Sequence, residues 1–194
     1  MTTLEEAERT RRLNILDMGL TFTAMLRVFE PESKAKILKK LDLAFISLEA
    51  AKTKDEFEKI HIDFCKWFEH SIKTASKSLR NKSIKPSGPA SFGHGAKVFD
   101  IVAKVFFYYS SLPTLASSKQ LLPFLHGAID NPILKRLKER FPTTRIAAES
   151  IEAIDQTIYE CLQTLITKHI AADFGKNIIP VQYDDIQWMG LNRK

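Results

Sequence analysis

A chain of 194 residues, 44% hydrophobic and 27% charged, can close one core that buries roughly 70% of the surface its unfolded form exposes. Its 7 glycines and 8 prolines exclude the low-complexity and highly charged disordered classes. Lys and Arg outnumber Asp and Glu by 29 to 23, for a formal net charge of +6, a balance that points toward a polyanionic partner without naming one.

Apolar residues recur at helical spacing along nearly the whole chain, and no window sustains the period-two alternation of a half-buried strand. The expected fold is therefore all-α, a compact multi-helix single domain of residues 1–194 with a central buried helix near 93–111. The acidic opening Glu5, Glu6, Glu8 lacks the basic-then-apolar order of a signal peptide. A first helix is predicted over 4–29, with Leu13, Leu16, Leu20 and Ala24 on one stripe and Pro31 as its stop. A second takes 32–52. Thr53 and Glu56 form a capping box for a third, carried by Phe57, Ile60, Phe64, Phe68 and Ile72. Between Arg80 and Phe92 the run of Asn81, Ser83, Pro86, Ser87, Gly88 and Pro89 reads as a long loop, the one place where the chain would divide into two helical lobes. A fourth helix begins near Gly93 and ends before Pro113. The polar stretch around Ser117 reads as a link. Asp130, Asn131 and Pro132 start a fifth helix that reaches Arg140. A sixth is predicted over 147–170, and a short turn closes the chain over 183–190. The most apolar stretch, 98–109, contains Asp100 and Lys104 and is too short to span a bilayer, so no membrane association is expected.

Cys65 and Cys161 lie far apart without C-x-x-C spacing, which excludes a zinc ribbon or a four-cysteine iron–sulfur cluster and suits a reducing compartment. A cytoplasmic or nucleoid-associated location is expected. His61 and His70 lack metal-pair spacing, so neither a metal nor another cofactor is expected.

Charge is distributed unevenly. Residues 71–99 contain Lys73, Lys77, Arg80, Lys82, Lys85 and Lys97 and no acid, and a second basic cluster holds Lys135, Arg136, Lys138 and Arg140. Such stretches serve as solvated faces or as surfaces for a phosphate backbone. On the fourth helix Lys97, Asp100 and Lys104 share one face of an otherwise apolar segment. Charges there must pair, reach water or serve a site, and the pairs expected are Lys97 with Asp100 or Asp100 with Lys104. A lysine in such a groove can have its pKa lowered enough to act as a nucleophilic amine. Just before it, Gly93 and Gly95 flank His94, a small-residue helix start whose free amides suit an anion.

The run Gly93-His94-Gly95-Ala96-Lys97-Val98-Phe99-Asp100 resembles the hairpin-and-lysine segment of the helix-hairpin-helix DNA glycosylases, G-V-G-x-K-x-A followed by an apolar helix. Ala128-Ile129-Asp130 with Leu134, Arg136 and Leu137 is similar to their V-D-x-x-hydrophobic-x-R-hydrophobic segment, and residues 183–188 resemble the ending of the archaeal 8-oxoguanine branch. The resemblance implies a DNA base-excision glycosylase with lyase activity in which Lys97 attacks the sugar and Asp130 assists. It also implies that a base is flipped into a pocket while Gly93, His94 and Gly95 hold a phosphate. Lys77, Arg80, Lys82, Lys85 and Arg136 would then contact the nucleic acid, and Phe92, Tyr108, Phe124 or Trp188 would stack on the base. The competing expectation is a non-catalytic helical domain that binds nucleic acid or a protein through its basic face.

Overall fold

The computed structural model describes residues 3–75, 88–175 and 177–192, without the side chains of 188 and 190–192. Eight α-helices are formed among them: α1 (Leu4–Phe22), α2 (Ser33–Ala50), α3 (Lys54–Ser71), α4 (Phe92–Ala103), α5 (Leu115–Leu121), α6 (Asn131–Arg140), α7 (Gln156–Asp173) and α8 (Tyr183–Asn192). The described residues contain no β-strand, only two isolated bridges, Phe29 with Thr74 and Lys73 with Pro89. The all-α expectation holds, and no described helix is long and apolar enough to cross a membrane.

Helix boundaries follow capping chemistry more closely than hydrophobic spacing. The first helix stops at Phe22, seven residues before the predicted end. There the Thr23 hydroxyl donates to the Leu20 carbonyl at 2.7 Å and accepts from the Met25 amide at 3.0 Å, a local alternative to continued helix. Ala24 takes a left-handed conformation at φ 53°. The polar link around Ser117 is α5 instead, because Thr114 accepts from the Ser117 amide and caps it. The predicted helix over 147–170 starts only at Gln156, behind the N-cap Asp155. Ile151 and Ile154, assigned to that helix, lie at a 3₁₀ turn and are buried there. The Thr53–Glu56 capping box of α3 and the Asp130 cap of α6 form as expected.

The buried residues make one continuous cluster from Leu16 to Tyr183, with α4 in its middle. Ten of its twelve residues are buried. It packs against α3, α1, α7 and the 151–153 turn. Two glycines allow that approach. A Cβ on Gly93 would lie 2.3 Å from the Ile151 carbonyl oxygen, and one on Gly95 would lie 2.9 Å from Cβ of Phe68. Phe45, Phe57, Phe64, Phe99, Phe106 and Phe107 fill the adjoining core. After Ala103 the helix widens into a π-helical segment, Lys104–Tyr109.

Candidate functional site

The three charges on α4 and its π-helical extension have three different surroundings. Asp100 is fully buried and bonds neither lysine. Its Oδ1 lies 3.1 Å from Nε2 of His61 on α3, and its Oδ2 accepts from the Tyr159 hydroxyl of α7 at 2.7 Å. Lys104, also buried, donates to Asp184 at 2.8 Å and pairs with Asp185 at 2.6 Å, both on α8. The expected pairing within one helix face is thus replaced by pairing between helices. The cause is burial, since a charge taken from water needs close, well-directed partners, and neighbouring helices supply them. Burial, against the pull of Lys104, pushes the Asp184 carboxyl up to about 6.

Around Asp100 a polar centre runs through the core. The Tyr159 oxygen lies 2.8 Å from Nδ1 of His126 and 3.2 Å from Nε2 of His61, while Nε2 of His126 lies 3.0 Å from Oε1 of Glu58. Cys65 sulfur sits 3.8 Å from Nδ1 of His61. Burial, reinforced by the Asp100 charge, holds the Tyr159 phenol and the Cys65 thiol well above their ordinary values. Burial would also raise Glu58, but its hydrogen bond and charge interaction with His126 outweigh this and leave it lowered. At Glu58, His126 and Tyr159 the centre meets a cleft of about 350 Å³, also lined by Lys54, Gln163 and Thr167. Nothing in residue spacing announced this constellation, since its members run from position 58 to position 159. Asp100 on an apolar helix was the one visible sign.

Lys97 is half-buried on α4. Burial lowers its ammonium pKa, with Asp130 opposing and Arg27 adding to the effect. The charge of Asp130 therefore acts on Lys97, though the two form no ion pair. Asp130 itself is occupied as a cap, its Oδ1 accepting from the Ile133 amide at 2.9 Å. Neither residue lines the 350 Å³ cleft.

The glycine-flanked segment departs from expectation. Gly93, His94 and Gly95 form the first turn of α4, not a hairpin, and all three are buried. Their amides are already bonded: Gly93 to the Ile154 carbonyl at 3.0 Å, Gly95 to the Ser91 carbonyl at 3.2 Å, and His94 to the Ser91 hydroxyl at 3.2 Å. With these bonds made, none of the three amides is left free for a phosphate, because the close packing that requires glycine also covers them. Burial, the leading influence, lowers the pKa of His94, whose Nδ1 accepts from the Ser91 amide at 3.1 Å.

Of the expected nucleic-acid contacts, Lys77, Arg80, Lys82 and Lys85 lie outside the described residues, as do positions 80–87 of the expected lobe boundary. Arg136 is exposed on α6 and borders a shallow depression with Asn131, Pro132, Lys135 and Glu139. Its neighbours are partly neutralised, Lys138 by Glu149 at 2.8 Å and Arg140 by Asp173 at 3.0 Å. Among the candidate stacking residues, Phe92 is core, Tyr108 and Phe124 are half-buried, and the Trp188 side chain lies outside the described residues.

Comparison with known proteins returned no similarity: no protein family, no curated protein and no solved structure matches this chain. Fold and side-chain geometry are accordingly the whole basis for a functional reading.

Proposed function

We propose that the protein is a DNA base-excision glycosylase with associated lyase activity, cytoplasmic or nucleoid-associated, with Lys97 as nucleophile. The observation that carries this is the lysine itself. A half-buried amine with a lowered pKa, sensing but not ion-paired with a carboxylate on another helix, suits covalent catalysis better than a surface lysine would.

In its neutral form the Lys97 amine attacks the anomeric carbon of a flipped nucleotide. The bond to the base breaks, and the base leaves with the electron pair and takes up a proton. Asp130 stabilises the positive charge that develops on the sugar. Loss of the amine proton and opening of the sugar ring give a Schiff base. Elimination of the 3′ phosphate from it accounts for strand cleavage, and water then releases Lys97. Phosphate contacts come from the exposed face of α6, where Arg136 stands in no ion pair among the described residues.

The bonded amides of Gly93, His94 and Gly95 favour the second reading, a non-catalytic nucleic-acid-binding domain, since they remove the phosphate cradle on which the hairpin comparison depends. Borohydride trapping on duplexes carrying a single 8-oxoguanine, uracil or abasic site separates the two. The glycosylase reading expects a covalent protein–DNA adduct with the wild type and none with Lys97→Gln. Absence of both excision and trapping with the wild type overturns it and leaves the binding domain.

A further inference from the structure

The buried centre around Tyr159 has more acceptors than donors when its two imidazoles are neutral. A neutral imidazole carries one N–H, a phenol one O–H, and a carboxylate none. Glu58 lies 3.0 Å from Nε2 of His126, so the proton of that ring belongs on Nε2 and the Nδ1 lone pair faces the Tyr159 oxygen at 2.8 Å. His61 gives its Nε2 proton to Asp100 Oδ1 at 3.1 Å. The single phenol proton then has two acceptors, Asp100 Oδ2 at 2.7 Å and His126 Nδ1 at 2.8 Å. Whichever it serves, the other contact brings lone pairs together, in a place where His61 and Asp100 are 0% and 2% exposed. Such a contact is costly away from water. A cation among these atoms removes it.

We propose that His61, Asp100 and His126, with the Tyr159 oxygen as a fourth donor, form a binding site for a divalent transition metal of the zinc class. The ligating atoms of the first three all lie within 4.8 Å of one another. A tetrahedral zinc ion, bonded at about 2.0–2.2 Å, sets its donors roughly 3.3 Å apart, so the widest pairs contract by no more than about 1.5 Å, and the Tyr159 oxygen, 2.7 Å from Asp100 and 2.8 Å from His126, moves out by about 0.5 Å to admit the ion. Two imidazoles and one carboxylate select zinc, cobalt or nickel over magnesium or calcium, which take oxygen ligands. The surrounding bonds already suit metal-bound imidazoles. Glu58 holds the far nitrogen of His126, the carboxylate–histidine arrangement that orients a metal ligand. On metal binding His61 moves its proton to Nδ1, which faces the Cys65 sulfur at 3.8 Å. Entry is from the cleft at Glu58 and His126. Four protein donors leave no open position, so the ion ties α3, α4, α7 and the segment before α6 together and activates no water. The site is independent of the glycosylase reading and stands or falls without it.

The test uses the full chain, freed of metal with EDTA and titrated with Zn²⁺ and, separately, with Co²⁺. Expected are one ion per chain, a rise in thermal midpoint of about 5 °C or more at saturation, and the intense visible absorption of four-coordinate Co²⁺. His126→Gln should abolish all three. Glu58→Gln, which keeps the side-chain shape at a half-buried position, should weaken binding by about 10–100-fold. Failure of both ions to bind with 1:1 stoichiometry overturns the proposal, as does binding of equal strength in the wild type and Glu58→Gln. Nitrogen-15 spectra showing His126 protonated on both nitrogens, unchanged by Zn²⁺, overturn it too, because a proton then occupies the position of the ion.

Discussion

Two polar centres share α4 and are built on opposite terms. At Asp100 the polar groups face one another across the core: His61, Tyr159, His126 and Glu58 are linked at 2.7–3.2 Å, and the ring of partners closes four segments against one another. One turn earlier, Lys97 is half-buried and Asp130 acts on it without forming an ion pair. Groups linked to one another by the fold contribute to holding it, whereas an amine without such a partner at the edge of the core stays accessible. On the proposed function, stability falls to Asp100 and chemistry to Lys97, although the two lie three residues apart on one helix.

Exchanging the effects of the two residues would break the comparison, and the largest effect expected is on activity. Lys97→Gln should remove covalent trapping altogether and leave the thermal midpoint close to that of the wild type. Asp130→Asn should lower excision by about 100-fold or more, at little cost in stability because asparagine caps a helix as well as aspartate. Trapping by Lys97→Gln at the wild-type level would assign the chemistry elsewhere.

Asp100→Ala should show the reverse pattern. It leaves His61 and Tyr159 buried without their acceptor and should destabilise the fold by roughly 3–5 kcal/mol, measured by urea unfolding at constant m-value. A loss below about 1 kcal/mol would mean that the centre contributes little to folding.

A smaller effect is expected from Gly93→Ala, whose added methyl meets the Ile151 carbonyl at 2.3 Å. The cost should be about 1–3 kcal/mol, read from the same unfolding curves. If Gly93 instead served a phosphate, DNA affinity would fall while stability stayed unchanged.

The smallest expected effect is a pH slope from His94. Burial lowers its pKa in the folded protein, so its neutral form is favoured there relative to the unfolded chain. The associated stability is complete above the unfolded value near 6.5 and declines as pH falls below it toward the lower folded value. Protonation also removes the Nδ1 acceptor of the Ser91 amide. His94→Gln keeps an acceptor at the third position of the capping box and should flatten this part of the Tm–pH profile. An unchanged slope in the variant would place the titration on another group.

Much of the scaffold was legible in residue order because its causes are local. The period of apolar residues announced an all-helical chain, Thr53 with Glu56 announced α3, and Asp130 with Pro132 announced α6. Errors arose where a single side chain redirected the backbone, as Thr23 does at the end of α1 and Asp155 at the start of α7. Lys97 and Asp130 could be selected as candidates from two short patches. The influence of Asp130 on Lys97 could not, because it depends on how α4 lies against the start of α6.

Tertiary structure alone decided the partners of the charged residues. Helical spacing set Lys97, Asp100 and Lys104 on one face, yet Asp100 bonds to α3 and α7 and Lys104 to α8. Local sequence governs which way a backbone turns, through caps, prolines and apolar period. A buried charge is instead stabilised by whichever polar groups the packed helices bring within hydrogen-bonding distance, and in this chain those groups lie 39 and 59 residues from Asp100.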